Sequence, residues 1–161
     1  MRRQVVHTLK VPPARVPLSQ AIKIGDWVFA SGQLGLGVRT GRLAEGGIAA
    51  ETRQVCENLK AVLEAAGSSL DRMVKVTIYM VDLRELMDMN NVFSEYFPID
   101  PPAPTTFQCA ALLGGARLSR DHYLFRDEPD RAPDWCHSRV WRRLLRCAAQ
   151  RMGFAAARRT A

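Results

Sequence analysis

Along this chain short stretches of alternating apolar and polar residues give way to two stretches with a helical period. Residues 4–9, 20–24 and 27–31 read as short strands, with Gly25-Asp26 as a tight hairpin turn between the second and third. Gly32, Gly35, Gly37, Gly41, Gly46 and Gly47 then mark a flexible connection, and their spacing is not that of a phosphate-cradling loop. Val55, Leu59, Val62, Leu63 and Ala66 fall on one face of a helix, which Gly67 is placed to end as a left-handed cap. Residues 73–81 alternate again: Val74, Val76, Ile78 and Met80 face one side, Lys75, Thr77 and Tyr79 the other. That pattern predicts a half-buried strand with Lys75 at solvent or at an interface.

Asp82, with Glu85 three residues on, predicts a capping box for a second helix. Its apolar stripe is Leu86, Met89, Phe93, Tyr96 and Phe97, and Pro98 stops it. Met87 and Met89 are both expected to fill the core. Pro101, Pro102 and Pro104 hold the chain extended before a last clear strand at 105–112. The order β-β-β-α-β-α-β predicts an α+β fold, a mixed sheet with two helices on one face. Phe29, Phe107 and other apolar residues fall on strands whose helix-free side cannot be wholly wet, so that face also needs cover, and a closed oligomer supplies it.

Composition narrows the class further. With 161 residues, 47% hydrophobic and 24% charged, the chain suits one ordinary domain, or a smaller one with a tail. No apolar run reaches the ~18 residues of a membrane span. The start is unlike a secretory signal, and Cys56, Cys109, Cys136 and Cys147 form no CxxC pair, so reduced thiols and a cytoplasmic setting are expected. The net charge of +7 is uneven: nine Arg and four Lys face eleven acids in residues 1–118, whereas ten Arg face five acids in 119–161. The basic character belongs mainly to the tail.

Taken together, Pro17-Leu18-Ser19-Gln20-Ala21, the Ser31-Gly32-Gln33 turn, Asn58-Leu59, Ala65-Ala66-Gly67, Val74-Lys75-Val76-Thr77, Asp82-Leu83, Asn91 with Tyr96-Phe97, and Pro102-Ala103 resemble the RidA (YjgF/YER057c/UK114) family. The resemblance covers roughly residues 3–118. It implies a chorismate-mutase-like subunit and a homotrimer with ligand clefts between subunits. It also implies hydrolysis of 2-imino or 2-enamino acids to 2-keto acids and ammonia, with no metal or organic cofactor.

In that family an arginine holds the substrate carboxylate, a glutamate on the last strand orders the attacking water, and a tyrosine shapes the pocket. Here those three positions hold Pro104, Ser119 and Leu18. Ser31, Gly32, Thr105, Thr106 and Cys109 remain as candidates for contact with a small 2-imino or 2-keto acid, and Arg117 or Arg15 as substitutes for the missing cation. Turnover is therefore expected to be weak or absent. A non-catalytic trimer that keeps the cleft for a small ligand is the alternative.

From 119 the family pattern stops, so residues 1–118 form the expected domain and 119–161 a divergent Arg-rich extension. Leu118, Arg120, His122 and Leu124 alternate with Ser119, Asp121, Tyr123 and Phe125, and neither set is cleanly apolar, which predicts a poor interior strand. Residues 139–152 are helix-compatible, with Trp141, Leu144, Leu145, Ala148 and Met152 as a stripe among arginines. A helix docked on the body, a basic surface for lipid, nucleic acid or a protein, and a non-native extension from out-of-frame translation all remain open for it. A nucleic-acid partner of the body is not expected, because no paired acid and base are present for ribonuclease chemistry. Cys136-His137 with Cys147 matches no common zinc spacing, and Cys109 has no histidine or helix start to activate it.

Overall fold

The computed structural model describes residues 2–14 and 16–125. Its elements are β1 (Arg3–Val6), β2 (Ala21–Ile24), β3 (Trp27–Leu34), α1 (Gly47–Ala65), β4 (Met73–Met80), α2 (Leu86–Tyr96), β5 (Ala103–Gln108) and β6 (Leu118–Phe125). They form one six-stranded sheet in the order β1-β2-β3-β6-β4-β5. All neighbours are antiparallel except β4 and β5, which α2 joins as a parallel crossover. Arg15 and the whole stretch from 126, with its helix-compatible segment and its Cys136, His137 and Cys147, lie outside the described residues.

The core lies between the helices and one sheet face. Val55, Leu59, Val62 and Leu63 of α1 and Met89 and Phe93 of α2 pack against Val28, Val76, Ile78, Met80 and Leu118 of the sheet. The period read for α1 is the buried one, and its end is also as expected. Gly67 has φ +77°, the Ser68 N–H donates to the Leu63 carbonyl, and the Gly67 N–H donates to the Glu64 carbonyl. The Lys23 ammonium from β2 reaches the same terminus and donates to the Ala66 carbonyl at 2.9 Å, placing a cation at the negative end of the helix. Gly25 takes φ +57° in the two-residue turn that brings Ile24 opposite Trp27.

The strand reading departs from the pattern at several places, each for a local reason. β1 ends at Val6 because the Gln20 side chain takes over the pairing beyond it: its Oε1 accepts from the Thr8 N–H at 2.6 Å and its Nε2 donates to the Thr8 carbonyl at 3.0 Å. In β4 the register slips between Met73 and Lys75. Val74 is the extra residue of a bulge, so Met73 takes the buried side and Val74 is 51% exposed. β5 starts at Ala103 and includes Pro104, which the sheet accepts because β5 is an edge strand.

The second helix is not closed by the expected capping box. Asp82 caps a single 3-10 turn at Leu83–Glu85 by accepting from the Arg84 N–H, while the Glu85 carboxylate turns to Arg117. Of the methionine pair, Met89 is fully buried and Met87 is 68% exposed, so only one fills the core.

The largest correction concerns β6. It was expected to be a poor interior strand, yet it lies mid-sheet, paired with β3 on one side and β4 on the other. Backbone hydrogen bonding on both sides sets this position, and Leu118 is fully buried at its start.

The glycine-rich stretch is a closed turn and not a loose tether. Gly37 N–H donates to the Arg42 carbonyl, Ala44 N–H to the Gly35 carbonyl, and Leu36 bridges Leu43. Asn58, buried in α1, donates from Nδ2 to the Leu34 and Leu36 carbonyls at 3.0 and 2.9 Å and so ties the helix to the end of β3. Gly35 is required at this junction. A Cβ there would stand 2.9 Å from both the Cα and the carbonyl oxygen of Glu51, which are backbone atoms of α1. Gly35→Ala is expected to destabilise the fold by roughly 1–3 kcal/mol through overpacking. Chemical denaturation checks this, and an unchanged midpoint would mean that α1 retreats freely.

Candidate functional site

Two groups of the expected site residues sit at different places on the sheet. The first group surrounds a bulge in β3. The register between β3 and β6 shifts between Ala30 and Gln33, leaving Ser31 and Gly32 together opposite the position of Asp121. The Ser31 hydroxyl donates to the Ser19 carbonyl at 2.6 Å and the Ser31 N–H to the Gln20 carbonyl at 3.0 Å. The bulge thereby holds the segment carrying Leu18, which is 45% exposed. Ser119 belongs to this group: it pairs with Leu34, two residues from Gly32, and with Tyr79 on its other side.

The second group is on the edge strand. Pro104 is exposed and pairs with Val76, Thr105 with Thr77, and Thr106 with Ile78. The Lys75 ammonium donates to the Thr105 hydroxyl oxygen. Cys109 follows the strand, and both its N–H (2.8 Å) and its thiol (3.4 Å) are directed to the Met80 carbonyl.

Sheet geometry separates the two groups. Pro104 and Ser119 lie on strands two apart and three rungs out of step, about 10 Å across and about 10 Å along the sheet. They also face opposite sides, since Pro104 shares the rung of buried Val76 and Ser119 that of half-buried Tyr79. No small acid reaches both positions within one chain. Sequence order gave no warning of this separation, because both residues follow α2 within a short span.

Within the chain Arg117 is held by two carboxylates. Its Nη1 donates to Glu85, its Nε lies 3.9 Å from Glu51, and its N–H donates to Glu51 at 2.8 Å. Glu51 is itself buried, so the arginine is committed to two carboxylates. Nothing in the local sequence around Glu51 marked it as the partner of a residue 66 positions away. Arg117, Glu85 and Asp82 border a cleft of about 400 Å³ with Val81, Ala110 and Leu112, and none of the expected contact residues lines it. Among the described residues no three His, Cys, Asp or Glu side chains group as metal ligands, and no helix is long and apolar enough to cross a membrane.

Asp82 at the rim of that cleft carries a titration prediction. Charged hydrogen bonds from the Arg84 side chain, then its backbone N–H, lower the Asp82 carboxyl from 3.8 to about 2. A depressed carboxyl contributes stability that is present above its unfolded value and lost as pH falls through its folded value. The contribution from Asp82 is thus complete above about pH 4 and fades toward pH 2. Carboxyl NMR titration is expected to find this low midpoint and to find it raised toward 3.8 in Arg84→Gln; an unmoved midpoint would discount the pair.

Comparison with known proteins settles the family. A family model described as Endoribonuclease L-PSP matches residues 8–118, more than half of the chain. The chain belongs to the RidA/YjgF family. It is 43% identical over 112 residues to a RutC family protein of Pyrococcus abyssi, covering 70% of this chain and 88% of that protein. To the human 2-iminobutanoate/2-iminopropanoate deaminase it is 35% identical over 116 residues, covering 72% and 85%. Among solved structures, RidA from an Antarctic Psychrobacter matches with a TM-score of 0.73 and 39% identity, over 76% of this chain and 98% of that one. The Escherichia coli TdcF structure with bound serine matches with a TM-score of 0.74 and 28% identity, over 77% and 99%. The RidA fold, α+β and chorismate-mutase-like, is thereby established for the six-stranded sheet and its two helices.

Proposed function

We propose that this RidA-family protein is a cytoplasmic homotrimer whose intersubunit clefts take small 2-imino or 2-keto acids, and that it hydrolyses imines or enamines only weakly. The observation that carries this reading is Pro104: an uncharged residue without a backbone N–H stands on the edge strand where the family has its carboxylate-binding arginine. The separation of Pro104 from Ser119, Leu18 and the Ser31-Gly32 bulge supports a site that two copies complete. The helix-free face supports it too, because Val5, Phe29 and Phe107 are 58%, 38% and 51% exposed there. Three relatives or more bear deaminase names, the human protein among them.

The reaction asks little of the protein beyond placement. Water oxygen bonds to the electrophilic imine carbon as one of its protons passes to nitrogen; the hydroxyl of the resulting carbinolamine then gives up its proton to the amine as the C–N bond breaks, releasing ammonia and the 2-keto acid. Holding the carboxylate orients the carbon, and a carboxylate near the water accepts its proton. Pro104 cannot do the first, and the Ser119 hydroxyl is a poor base for the second. No metal or organic cofactor enters this scheme.

An amino-acid oxidase that generates imines, coupled to this protein, tests the reading. The rate is expected to fall far below that of an arginine-bearing relative, and an equal rate would end it. Light scattering is expected to give three times the 18.0 kDa chain mass. The alternative, a trimer that binds without turnover, predicts 2-keto acid binding with no catalysed imine loss at all.

A further inference from the structure

We infer that Lys75 is the residue that binds the ligand carboxylate in this chain, with Thr105 beside it, on the helix-free face of the sheet. The inference rests on the reading that the protein takes small 2-imino or 2-keto acids. Lys75 pairs with Ala103 in the β4–β5 ladder, one rung from Pro104. It alternates with Thr77 and Tyr79 on the helix-free face, and all three are half-buried. An ammonium has three donors. One goes to the Thr105 oxygen; among the described residues the other two N–H groups meet no acceptor, and the Thr105 hydroxyl proton can turn toward the same anion.

The ion pairs among the described side chains are Glu95 with Arg53, Asp82 with Arg84, and Glu51 and Glu85 with Arg117, and none of them involves Lys75. Lys23 is spent on the end of α1. A cation already half withdrawn from water is costly to cover further without a counter-ion. Covering the helix-free face with a second copy therefore calls for an anion at Lys75, and a ligand carboxylate fits.

The chemistry of the group also fits slow turnover. A guanidinium fork fixes the plane of a carboxylate, whereas an ammonium is a point charge that holds the anion without fixing its plane. Lys75 rises from the face opposite to Pro104, so it is a relocated anchor and not a substitute in the same place. Binding then survives while the reacting carbon is left poorly aimed.

The test is calorimetric titration with 2-oxobutanoate. Wild type is expected to bind, Lys75→Met to bind roughly 10- to 100-fold more weakly through loss of a charge-assisted hydrogen bond, and Lys75→Arg to retain most of the affinity. The uncharged methyl ester is expected to bind as weakly to wild type as the acid does to Lys75→Met. Undiminished binding by folded Lys75→Met overturns the inference and leaves the family reading intact. The same holds if Lys75→Met loses thermal stability but not affinity, because the ammonium then serves an internal pair; Asp121, across the Thr77 rung, is the nearest acid by register. If wild type binds nothing while a Pro104→Arg/Ser119→Glu variant binds and turns over imines, Lys75 is excluded and the family reading stands. If neither binds, both fall.

Discussion

Pro104→Arg combined with Ser119→Glu is expected to raise kcat/KM for imine hydrolysis by about 30- to 3,000-fold over wild type. The range follows from about 2–5 kcal/mol for a charged bidentate contact, at about 1.4 kcal/mol per tenfold in rate. Pro104 is on the outermost strand, paired with β4 on one side only, and its side chain is exposed, so an arginine side chain there points into solvent and not into the core. Ser119 is on the interior strand β6, half-buried on the helix-free side with Tyr79. The single variants are informative as well. Pro104→Arg alone is expected to lower KM, and Ser119→Glu alone to do little, because a general base gains nothing while the substrate is unaimed. A folded double variant with wild-type rates would show that the cleft is not a latent deaminase site.

The largest stability effect is expected from Met89→Ala, at about 2–5 kcal/mol, against at most about 0.5 kcal/mol for Met87→Ala. Met89 is fully enclosed between α2 and the sheet, in the same cluster as Leu59, Ile78 and Met80, so truncation leaves a cavity. Met87 is mostly in solvent and loses few contacts. Urea denaturation of the two variants separates them, and equal midpoints would place α2 in a different rotation about its axis.

Those methionines show how far the pattern of the chain reaches. The helical stripe contained Met89 but not Met87, yet residue type alone assigned both to the interior. For α1 the stripe was sufficient: Val55, Leu59, Val62, Leu63 and Ala66 are all buried, and Gly67 caps the helix as its lack of a side chain allows. Strands were read less well, because period two marks a face only while register holds. One bulge in β4 exchanges Met73 for Val74, and one in β3 sets Ser31 and Gly32 opposite a single residue.

The proposed site could be written from the sequence as residue types and not as an arrangement. Pro104, Ser119 and Leu18 could be named because short motifs fix their positions along the chain. That they lie on separate strands and opposite faces depends on β6 entering the sheet between β3 and β4. So does the commitment of Arg117 to Glu51 and Glu85, a long-range pairing that no local pattern records.

The sequence by itself determined the family, the two helices with their buried faces, and the absence of a cation at residue 104, because these depend on local period and residue chemistry. Only the tertiary structure decided the strand order, the burial of one methionine and not the other, and the placement of Lys75 against Thr105. Each of those depends on which distant segments pair, and hydrogen bonding between backbones sets that pairing with little regard to side-chain type.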